Sequence, residues 1–455
     1  MSAGLGGIDF ARVRDRQSQL LAIVLAAAAL AYLAWKISES PEQALQFAFN
    51  GLSVGAVYAL LAMGFTLVYS TVWFFDLYYG AAAAIGAYGV FYLRSGEALG
   101  GLYEVNEPLV NVAFAAVVAG VVAWSLREGL YARLRRRHGT RRLILAASLV
   151  SAGAGTYAGL VLTRPDEINV LLSPAIGVAV AAVAYLLLQR ILRGAVPPGP
   201  RLAVAAIAGV LLGGYCALLI ADAPGSRLYL SWAVSCLLAG AVALALYRGL
   251  YVYMIARARS PLIMLVASLG VLLAMTAATT IVFEAAPRPL PDAFGSDPVV
   301  IAGATIKGFN VFTIGVALGG FAGLWLLLKQ TSFGKAVRAI GDDEEVAKVV
   351  GINTTVVIAV VFFIGAVYAA LAGLLSGHDT AIQPRMGLLL LLKGWIASVV
   401  GGLGNLYGAI VGGFALGMVE QFGIWDLAGE WREVVSFGVL ILFLSFWPKG
   451  LIPRK

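Results

Sequence analysis

The sequence predicts an all-α polytopic membrane protein, and composition, the length of the apolar runs and loop charge all indicate this class. Of its 455 residues 61% are hydrophobic and 12% are charged, with a mean hydropathy of +0.90. Soluble domains carry roughly 25% charged residues. Many apolar runs approach the ~20 residues that cross a bilayer as a helix, so we expect about 13–14 transmembrane helices, some of them broken or re-entrant.

Taken in order, the predicted spans lie at about 19–37, 48–70, 77–93, 109–126, 143–162, 172–190, 202–221, 229–247, 261–283, 309–328, 355–376, 387–402, 404–423 and 433–447. The first follows Arg12, Arg14 and Arg16. No small-x-small cleavage site follows it, so we interpret it as a retained anchor helix and not as a signal peptide.

Loop charge predicts the orientation of these spans. Seven arginines lie between Arg127 and Arg142, and further basic loops alternate with neutral or acidic ones. Since Lys and Arg collect on the cytoplasmic side, both termini and the loop 331–353 are predicted to be cytoplasmic. Binding of anionic lipid is the alternative interpretation of the arginine-rich loop.

The chain also repeats itself at one constant offset. Gly129-Leu130-Tyr131 recurs as Gly249-Leu250-Tyr251, and Ala147-Ser148-Leu149 recurs as Ala267-Ser268-Leu269. We interpret this as a duplication that adds helices to a smaller core. The predicted organisation is a basic segment and anchor helix (1–46), the first part of the core (47–126), the extra helices (127–247) and the second part of the core (248–455).

The segment 331–353, called the island below, is a short charged stretch between long apolar runs. Asp342 with Glu345 fits a capping box, Lys348 falls near the end of the same helix, and Gly351 can terminate it. We expect two short helices that meet at Gly341 and lie across the membrane surface, where a soluble partner docks.

Enzymatic chemistry has little support in the sequence. Gly334-Lys335 is the nearest fragment to a nucleotide-binding Walker A motif, and it lacks the preceding glycine and the following hydroxyl residue. With two histidines and two cysteines, no metal cluster or nucleophile–base arrangement is recognisable. The net charge of +8 is explained by cytoplasmic loops and does not indicate nucleic acid.

Ionisable residues within apolar runs are more informative, because each costs about 2.5–3.5 kcal/mol at a helix centre. No basic loop separates the runs on either side of Asp76, so the chain is expected to break there. Asp76 then either lines a solute path or caps the helix that starts at Leu77. For Glu420 and Lys393 we favour positions near an interface, with the lysine reaching towards water.

A glycine-rich stretch predicts a second break. The short spans on either side of 401–405 favour a break within the membrane. Gly404, Gly408 and Gly412 then share one face of the following helix, as do Gly413 and Gly417, which allows close helix packing in lipid.

Together these segments resemble the permease subunits of branched-chain amino-acid type ABC importers. The residues that carry the resemblance are Asn50 to Leu60 and Gly64 to Tyr69, the island down to Gly351-Ile352-Asn353, and Lys393 with Val400 to Asn405, Gly408, Gly412-Gly413 and Gly417 to Glu420. The match covers about 47–95 and 248–455.

The resemblance implies a multi-pass permease subunit in the bacterial inner membrane. Its partners would be two ATP-binding subunits, a second permease (homologous or identical), a periplasmic substrate-binding protein and membrane lipid. ATP and magnesium would bind to the ATPase subunits, with no cofactor on this chain. The ATPase contact would comprise Gly334, Lys335, Arg338, Ala339, Gly341, Asp342 and Asp343. The substrate pathway would comprise Tyr58, Thr66, Tyr69, Asp76, Tyr79, Gly80, Lys393, Gly402 and Asn405.

The chain departs from the family pattern in two places. It has Asp76-Leu77-Tyr78-Tyr79-Gly80 where the family usually has Asn-Phe-Ala-His-Gly, which suggests an altered, bulkier or more cationic solute. It also carries the extra helices. Family solutes include branched-chain and other amino acids, amides, urea and small carboxylates. The competing hypotheses are an ion-coupled secondary transporter that uses Asp76 and Glu420, and a membrane scaffold that transports nothing.

Overall fold

A computed structural model of the chain describes residues 31–95, 116, 140–163, 167–191, 197–222, 226–255, 257, 261–290, 298–301, 303–447 and 450–452. Residues 31–39 are helical. The main helices are α1 (Pro41–Val72), α2 (Tyr78–Ser95), α3 (Thr140–Thr163), α4 (Ile168–Ile191), α5 (Pro198–Asp222), α6 (Ser226–Leu246), α7 (Val252–Ile255), α8 (Pro261–Phe283), α9 (Gly308–Gln330), α10 (Ser332–Asp342), α11 (Glu344–Val349), α12 (Thr354–Asp379), α13 (Met386–Gly401), α14 (Leu406–Gly423) and α15 (Arg432–Phe446). A π-helical turn (Tyr247–Tyr251) precedes α7, and a 3₁₀ turn (Gly429–Trp431) precedes α15.

The predicted fold class is confirmed. Within the described ranges, seven helices are long and apolar enough to cross a membrane, or up to eight if the bent pair α13–α14 counts as one span. The larger number expected from the sequence also counts α2, α3 and α15, which do not meet that criterion. Each predicted span that falls on described residues coincides with a helix. The span 109–126 lies outside them except for residue 116, and so does most of 19–37.

The chain divides into two compact units. Unit 1 comprises Met1–Asp76, Asp292–Ile352 and Leu389–Lys455, and unit 2 comprises Leu77–Pro291 and Asn353–Leu388. The organisation into a core and a duplicated insertion stays a prediction, because the first copy before Thr140 lies outside the described residues except for residue 116.

In unit 1, α14 packs against α1 through glycines. A Cβ atom on Gly413 would stand 2.4 Å from Ala59 Cα, and one on Gly417 would stand 2.4 Å from Gly55 Cα. These distances are shorter than side-chain contacts allow, so the two helix backbones touch. The predicted packing role of the later glycines is confirmed, in agreement with the small-residue interfaces of membrane helices.

The helices α13 and α14 form a hairpin, bent by 118° at residues 402–405. Gly402 and Gly404 have φ angles of +119° and +80°, which glycine adopts without a Cβ clash. The break predicted at 401–405 is therefore observed. The break lies near the end of α9 and not half-way along that helix. This position follows from Trp325, in the last turns of α9, which donates a hydrogen bond from Nε1 to Oη of Tyr407 just after the break.

A two-stranded antiparallel hairpin precedes α9 in unit 1. Its strands are β1 (Pro298–Ile301) and β2 (Ala304–Lys307), with Pro298 paired to Lys307 and Ile301 to Ala304. Beyond it, Asn310 of α9 donates a hydrogen bond to Asn50 of α1. The start of α9 is thereby held against α1.

In unit 2, the helices α2, α6 and α12 pack against one another. A Cβ atom on Gly86 of α2 would stand 2.3 Å from the carbonyl oxygen of Ala370, and one on Gly373 would stand 2.0 Å from that of Ala83. The same small-residue packing joins α4 to α5, where Gly177 meets Gly213. Glycine therefore sets the spacing of several helix pairs within this unit as well.

Candidate functional site

The island forms two short helices, α10 and α11. On α10, Val337 and Ile340 are buried while Lys335 and Arg338 are exposed, so the helix is amphipathic as its sequence pattern requires. The Thr331 hydroxyl caps it by accepting a hydrogen bond from the Gly334 N–H at 3.2 Å. Apolar burial on one side and charge on the other fix the orientation of α10 against unit 1.

The junction of the two helices differs from the prediction. The carboxylate of Asp343 accepts hydrogen bonds from the backbone N–H groups of Glu345 (2.8 Å) and Val346 (3.0 Å). The predicted capping box of Asp342 with Glu345 is therefore wrong, because Asp343 and not Asp342 has the extended backbone (φ −160°, ψ 112°) of an N-cap. The helices meet at Asp343 and not at Gly341.

The other features predicted for this helix are confirmed. Glu344 and Glu345 occupy the first turn of α11, Lys348 lies in the last turn, and Gly351 follows with φ +90°. Lys348 Nζ lies 2.9 Å from Glu344 Oε1, and this hydrogen bond raises the pKa of the Lys348 ammonium. The charges complement the helix dipole at both ends.

The outer surface of the island combines charge with exposed valines. Val349 and Val350 are 87% and 75% exposed. Of the predicted ATPase-contact residues, Lys335, Arg338, Asp342 and Asp343 are exposed, Ala339 is half-buried, and Gly334 and Gly341 are buried. Gly334 serves packing, since a Cβ atom there would stand 2.0 Å from the carbonyl oxygen of Leu328.

The island is attached to the end of α1. Trp73, directly after α1, has left-handed backbone geometry (φ +57°) and donates a hydrogen bond from Nε1 to the carbonyl oxygen of Gly341 at 3.0 Å. The expected break near Asp76 is thus present between Val72 and Tyr78, and it lies next to the island. Asp76 itself is buried, with 1% of its surface exposed.

A second polar group lies inside unit 1, and we call it the charge cluster: Tyr58, Lys393, Glu420, Arg432, Glu433 and Ser436. The Lys393 ammonium lies 3.2 Å from Glu420 Oε2 and donates to the Ser436 hydroxyl at 2.7 Å. Tyr58 donates to Glu420 Oε1 at 3.2 Å. The side chains of Lys393 and Glu420 are 4% and 0% exposed, so this pair is buried in protein.

Two further charged residues, both partly exposed, contact the buried pair. Glu433 Oε2 lies 3.1 Å from Lys393 Nζ, and Arg432 Nε lies 3.4 Å from Glu420 Oε1. Their side chains are 44% and 38% exposed. The four formal charges cancel, which reduces the cost of burying them.

The structure corrects one expectation and adds residues that sequence reasoning missed. Lys393 does not extend towards water, because its ammonium is engaged by two carboxylates. Arg432, Glu433 and Ser436 were not identified from the sequence. The sequence does contain a sign of these three residues. Arg432 and Glu433 are adjacent opposite charges at the start of the last apolar run, and Ser436 lies on the same helix face as Arg432.

Three further predicted pathway residues of unit 1 each contact a different neighbour. Thr66 and Ser398 share a 2.7 Å hydrogen bond between buried hydroxyls of unit 1, and Tyr69 stacks against Phe65. Asn405 caps α14 by accepting a hydrogen bond from the Tyr407 N–H. Thr66 therefore joins two helices, Tyr69 packs along α1, and Asn405 caps the start of α14.

Two predicted pathway residues, Tyr79 and Gly80, belong to unit 2. A Cβ atom on Gly80 would stand 2.7 Å from the carbonyl oxygen of Gly387, and one on Gly365 would stand 2.5 Å from Tyr79 Oη. Both residues thus occupy tightly packed positions. A role in transport stays a prediction for all the residues of the pathway.

The loop before α15 is tied to the helical segment 31–39. Asp426 accepts hydrogen bonds from Tyr32 and Lys36, with the lysine at 3.2 Å. These two bonds lower the pKa of the Asp426 carboxyl. These hydrogen bonds at the protein surface therefore favour the charged form of Asp426.

Comparison with known proteins identifies the family. The sequence profile of the branched-chain amino acid transport system permease component matches residues 199–444, a stretch that contains the island, the hairpin α13–α14 and most of the charge cluster. The chain belongs to this family. Seven or eight apolar helices in the described part of the chain, together with this membership, make it a multi-pass protein of the inner membrane.

Individual members of the permease family are similar over parts of the chain. BraD of Pseudomonas aeruginosa, a high-affinity branched-chain amino acid transport system permease protein, is 36% identical over 172 residues, which is 38% of this chain and 56% of BraD. LivH of Escherichia coli K12, named for the same system, is 40% identical over 132 residues, or 29% and 43% of the two chains.

A more distant relative is the fructose import permease protein FrcC of Rhizobium meliloti, which is 35% identical over 125 residues, or 24% and 35% of the two chains. The chain spans about half the length of the branched-chain relatives it matches. No solved structure matches it significantly.

Proposed function

We propose that this chain is the transmembrane permease subunit of an ABC importer for branched-chain amino acids or related small polar solutes such as amides, urea or carboxylates. The observation that carries the proposal is the family match over residues 199–444. The names of BraD and LivH, both permeases of high-affinity branched-chain amino acid transport, support this solute class.

In the proposed complex the chain pairs with a second permease, homologous or identical, and with two ATP-binding subunits. A periplasmic binding protein delivers the solute. ATP and magnesium bind to the ATPase subunits, and closure of those subunits moves the island. The permease then changes which face is open, because each nucleotide state favours one arrangement of the docked island.

The surface of the island supports this assignment. A docking surface combines a desolvated apolar centre with a polar rim, and Val349 and Val350 provide exposed apolar surface beside Lys335, Arg338 and Asp342. The proposed ATPase contact therefore comprises the exposed charges identified from the sequence together with these valines. Gly334 contributes by letting α10 approach α9 closely.

The direct test is reconstitution with the ATPase and the binding protein. Lys335→Glu and Val349→Asp are changes of exposed side chains, and each should reduce co-purification of the ATPase and ATP-dependent uptake of radiolabelled leucine by about tenfold or more. Glu430→Gln, an exposed acid outside the island, should change neither. Wild-type co-purification in both island variants would contradict the proposed contact.

The same vesicles separate this proposal from ion-coupled transport. Uptake that persists without the ATPase and is abolished by an ionophore would overturn the ABC assignment. The structure favours the ABC assignment, because Glu420, one of the two carboxylates that an ion-coupled mechanism would use, is already paired with Lys393 and Arg432.

We further propose that Asp76 alters solute preference within the family. It is a buried acid where the family pattern has an amide. A carboxylate at such a position favours a more cationic solute through charge attraction. Asp76→Asn should shift competition for uptake from cationic amino acids towards neutral ones, and unchanged competition profiles would contradict this role.

A further inference from the structure

The charge cluster contains two complete sets of ion pairs at once. In the inner set, Lys393 of α13 faces Glu420 of α14 at 3.2 Å. In the outer set, each of these residues also contacts an opposite charge at the start of α15: Lys393 contacts Glu433 at 3.1 Å, and Glu420 contacts Arg432 at 3.4 Å. Each buried charge therefore has two partners on different helices.

Such an arrangement is more than stability requires. A buried ion pair can often be replaced by apolar residues of similar volume with no loss of stability, whereas removal of one partner is strongly destabilising. Ionisable residues inside a membrane protein are accordingly a functional signal. A single pair already neutralises both buried charges, and the second set of contacts gives each of them an alternative partner.

The hydroxyl groups of the cluster can serve either pairing. Ser436 accepts from Lys393 and can donate to Glu420 Oε2 at 3.1 Å or to the backbone carbonyl oxygen of Arg432 at 3.0 Å. Tyr58 of α1 donates to the other oxygen of Glu420. Separation of Lys393 from Glu420 would thus leave neither group without a hydrogen-bonding partner.

We propose that the charge cluster is a charge-exchange latch that positions the hairpin α13–α14 during transport. In one state the inner pair Lys393–Glu420 holds the two helices together. In another state Lys393 separates from Glu420, with Lys393 retained by Glu433 and Glu420 retained by Arg432, while the glycine contacts of Gly401 and Gly412 keep α13 against α14 near the bend. The latch rests on the proposed import function and assigns Arg432 and Glu433 as positioning residues.

The first test removes the outer partners, which are partly exposed and whose loss leaves the inner pair intact. Glu433→Gln and Arg432→Gln should keep the thermal midpoint of the purified permease near that of the wild type and lower the maximal uptake rate about fivefold or more, with little change in the solute concentration at half-maximal rate. Glu430→Gln is the matched control. Wild-type rates in both variants would overturn the proposal.

The second test reverses charges. The double variant Lys393→Glu with Glu420→Lys restores an inner pair of opposite charges. It also sets a carboxylate at position 393 against Glu433 and an ammonium at position 420 against Arg432, so both outer contacts become repulsive. The latch predicts that this double variant transports poorly and that further reversal by Arg432→Glu and Glu433→Lys restores uptake. Equal uptake by the double and quadruple variants would overturn the proposal.

These outcomes are distinct from failure of the import function. If wild-type vesicles show no ATP-dependent uptake, the proposed function fails, whereas the latch is judged only by variants compared with an active wild type. Lys393→Met with Glu420→Leu adds a further distinction. Normal uptake by this double variant would show that the cluster serves packing alone and would overturn the latch. A stable double variant with impaired uptake would support it.

Discussion

Replacement of Gly417 by alanine tests the contact between α1 and α14 directly. The added Cβ atom would stand 2.4 Å from Gly55 Cα, Gly55 N and the carbonyl oxygen of Gly51, whereas ordinary contacts of such an atom lie at 3.4–4 Å. All three neighbours are backbone atoms, so no side chain can move aside. The helices must separate by about 1 Å, enough to lose a quarter to a half of the dispersion energy of each contact.

Overpacking of this kind costs about 1–3 kcal/mol, and the higher helix propensity of alanine offsets roughly 0.5–1 kcal/mol of it. Gly417→Ala should therefore destabilise the protein by about 1–2 kcal/mol. In a domain of 150–250 residues each kcal/mol lowers the thermal midpoint by about 2–4 °C. The assay is the thermal midpoint of the purified protein in detergent.

The control for this experiment is Gly319→Ala on α9, because a Cβ atom there meets nothing within 4 Å. This variant should be as stable as the wild type or slightly more stable. If Gly417→Ala and Gly319→Ala have equal midpoints, α1 and α14 do not pack through their backbones, and the close approach described for unit 1 is refuted.

Three smaller changes test local features of unit 1. Asp343→Ala should lower the stability of α11 by about 1 kcal/mol, seen as faster amide hydrogen exchange in that helix, while Asp343→Asn should have a smaller effect. Thr66→Val leaves the buried Ser398 hydroxyl without its partner and should cost about 1–3 kcal/mol, more than the double replacement with Ser398→Ala, as measured by thermal midpoints. The pKa of Asp426 is lowered in the folded protein by its hydrogen bonds to Tyr32 and Lys36. These bonds therefore stabilise the folded state at pH values above the ordinary pKa of 3.8, and this stabilisation is lost as the pH falls through the lowered pKa. Asp426→Asn should be less stable than the wild type at about pH 7, and the two midpoints should converge in acid.

The sequence was sufficient to place the helices because each depends on a long local run of apolar residues. It also located the breaks near Asp76 and at 401–405, where a buried charge and a glycine group interrupt such runs. The register of the island cap could not be determined in this way. Asp342 and Asp343 are adjacent acids, and both are followed within three residues by Glu345, so either fits an N-cap by sequence. Only the backbone angles distinguish them.

The charge cluster was predictable only in part. Lys393 and Glu420 stand out as charges within apolar runs, but whether a lysine reaches water or a carboxylate depends on helices distant in sequence. Arg432 and Glu433 lie at the start of a span, where charged residues are ordinary, so nothing local marks them as partners of a buried pair. Their role follows from the fold that brings α13, α14 and α15 together.

The helix α1 contacts both the island and the charge cluster. Trp73, at its end, holds Gly341, and Tyr58 holds Glu420; the fifteen-residue separation corresponds to about 22 Å along a helix. Because α1 is continuous from Pro41 to Val72 and most of its residues are buried, displacement of the island would be transmitted along it. The glycine contacts at Gly413 and Gly417 keep α14 against α1, so these two helices would move together. The ion pairs with α13 and α15 have alternative partners, so they can rearrange without leaving a buried charge unpaired.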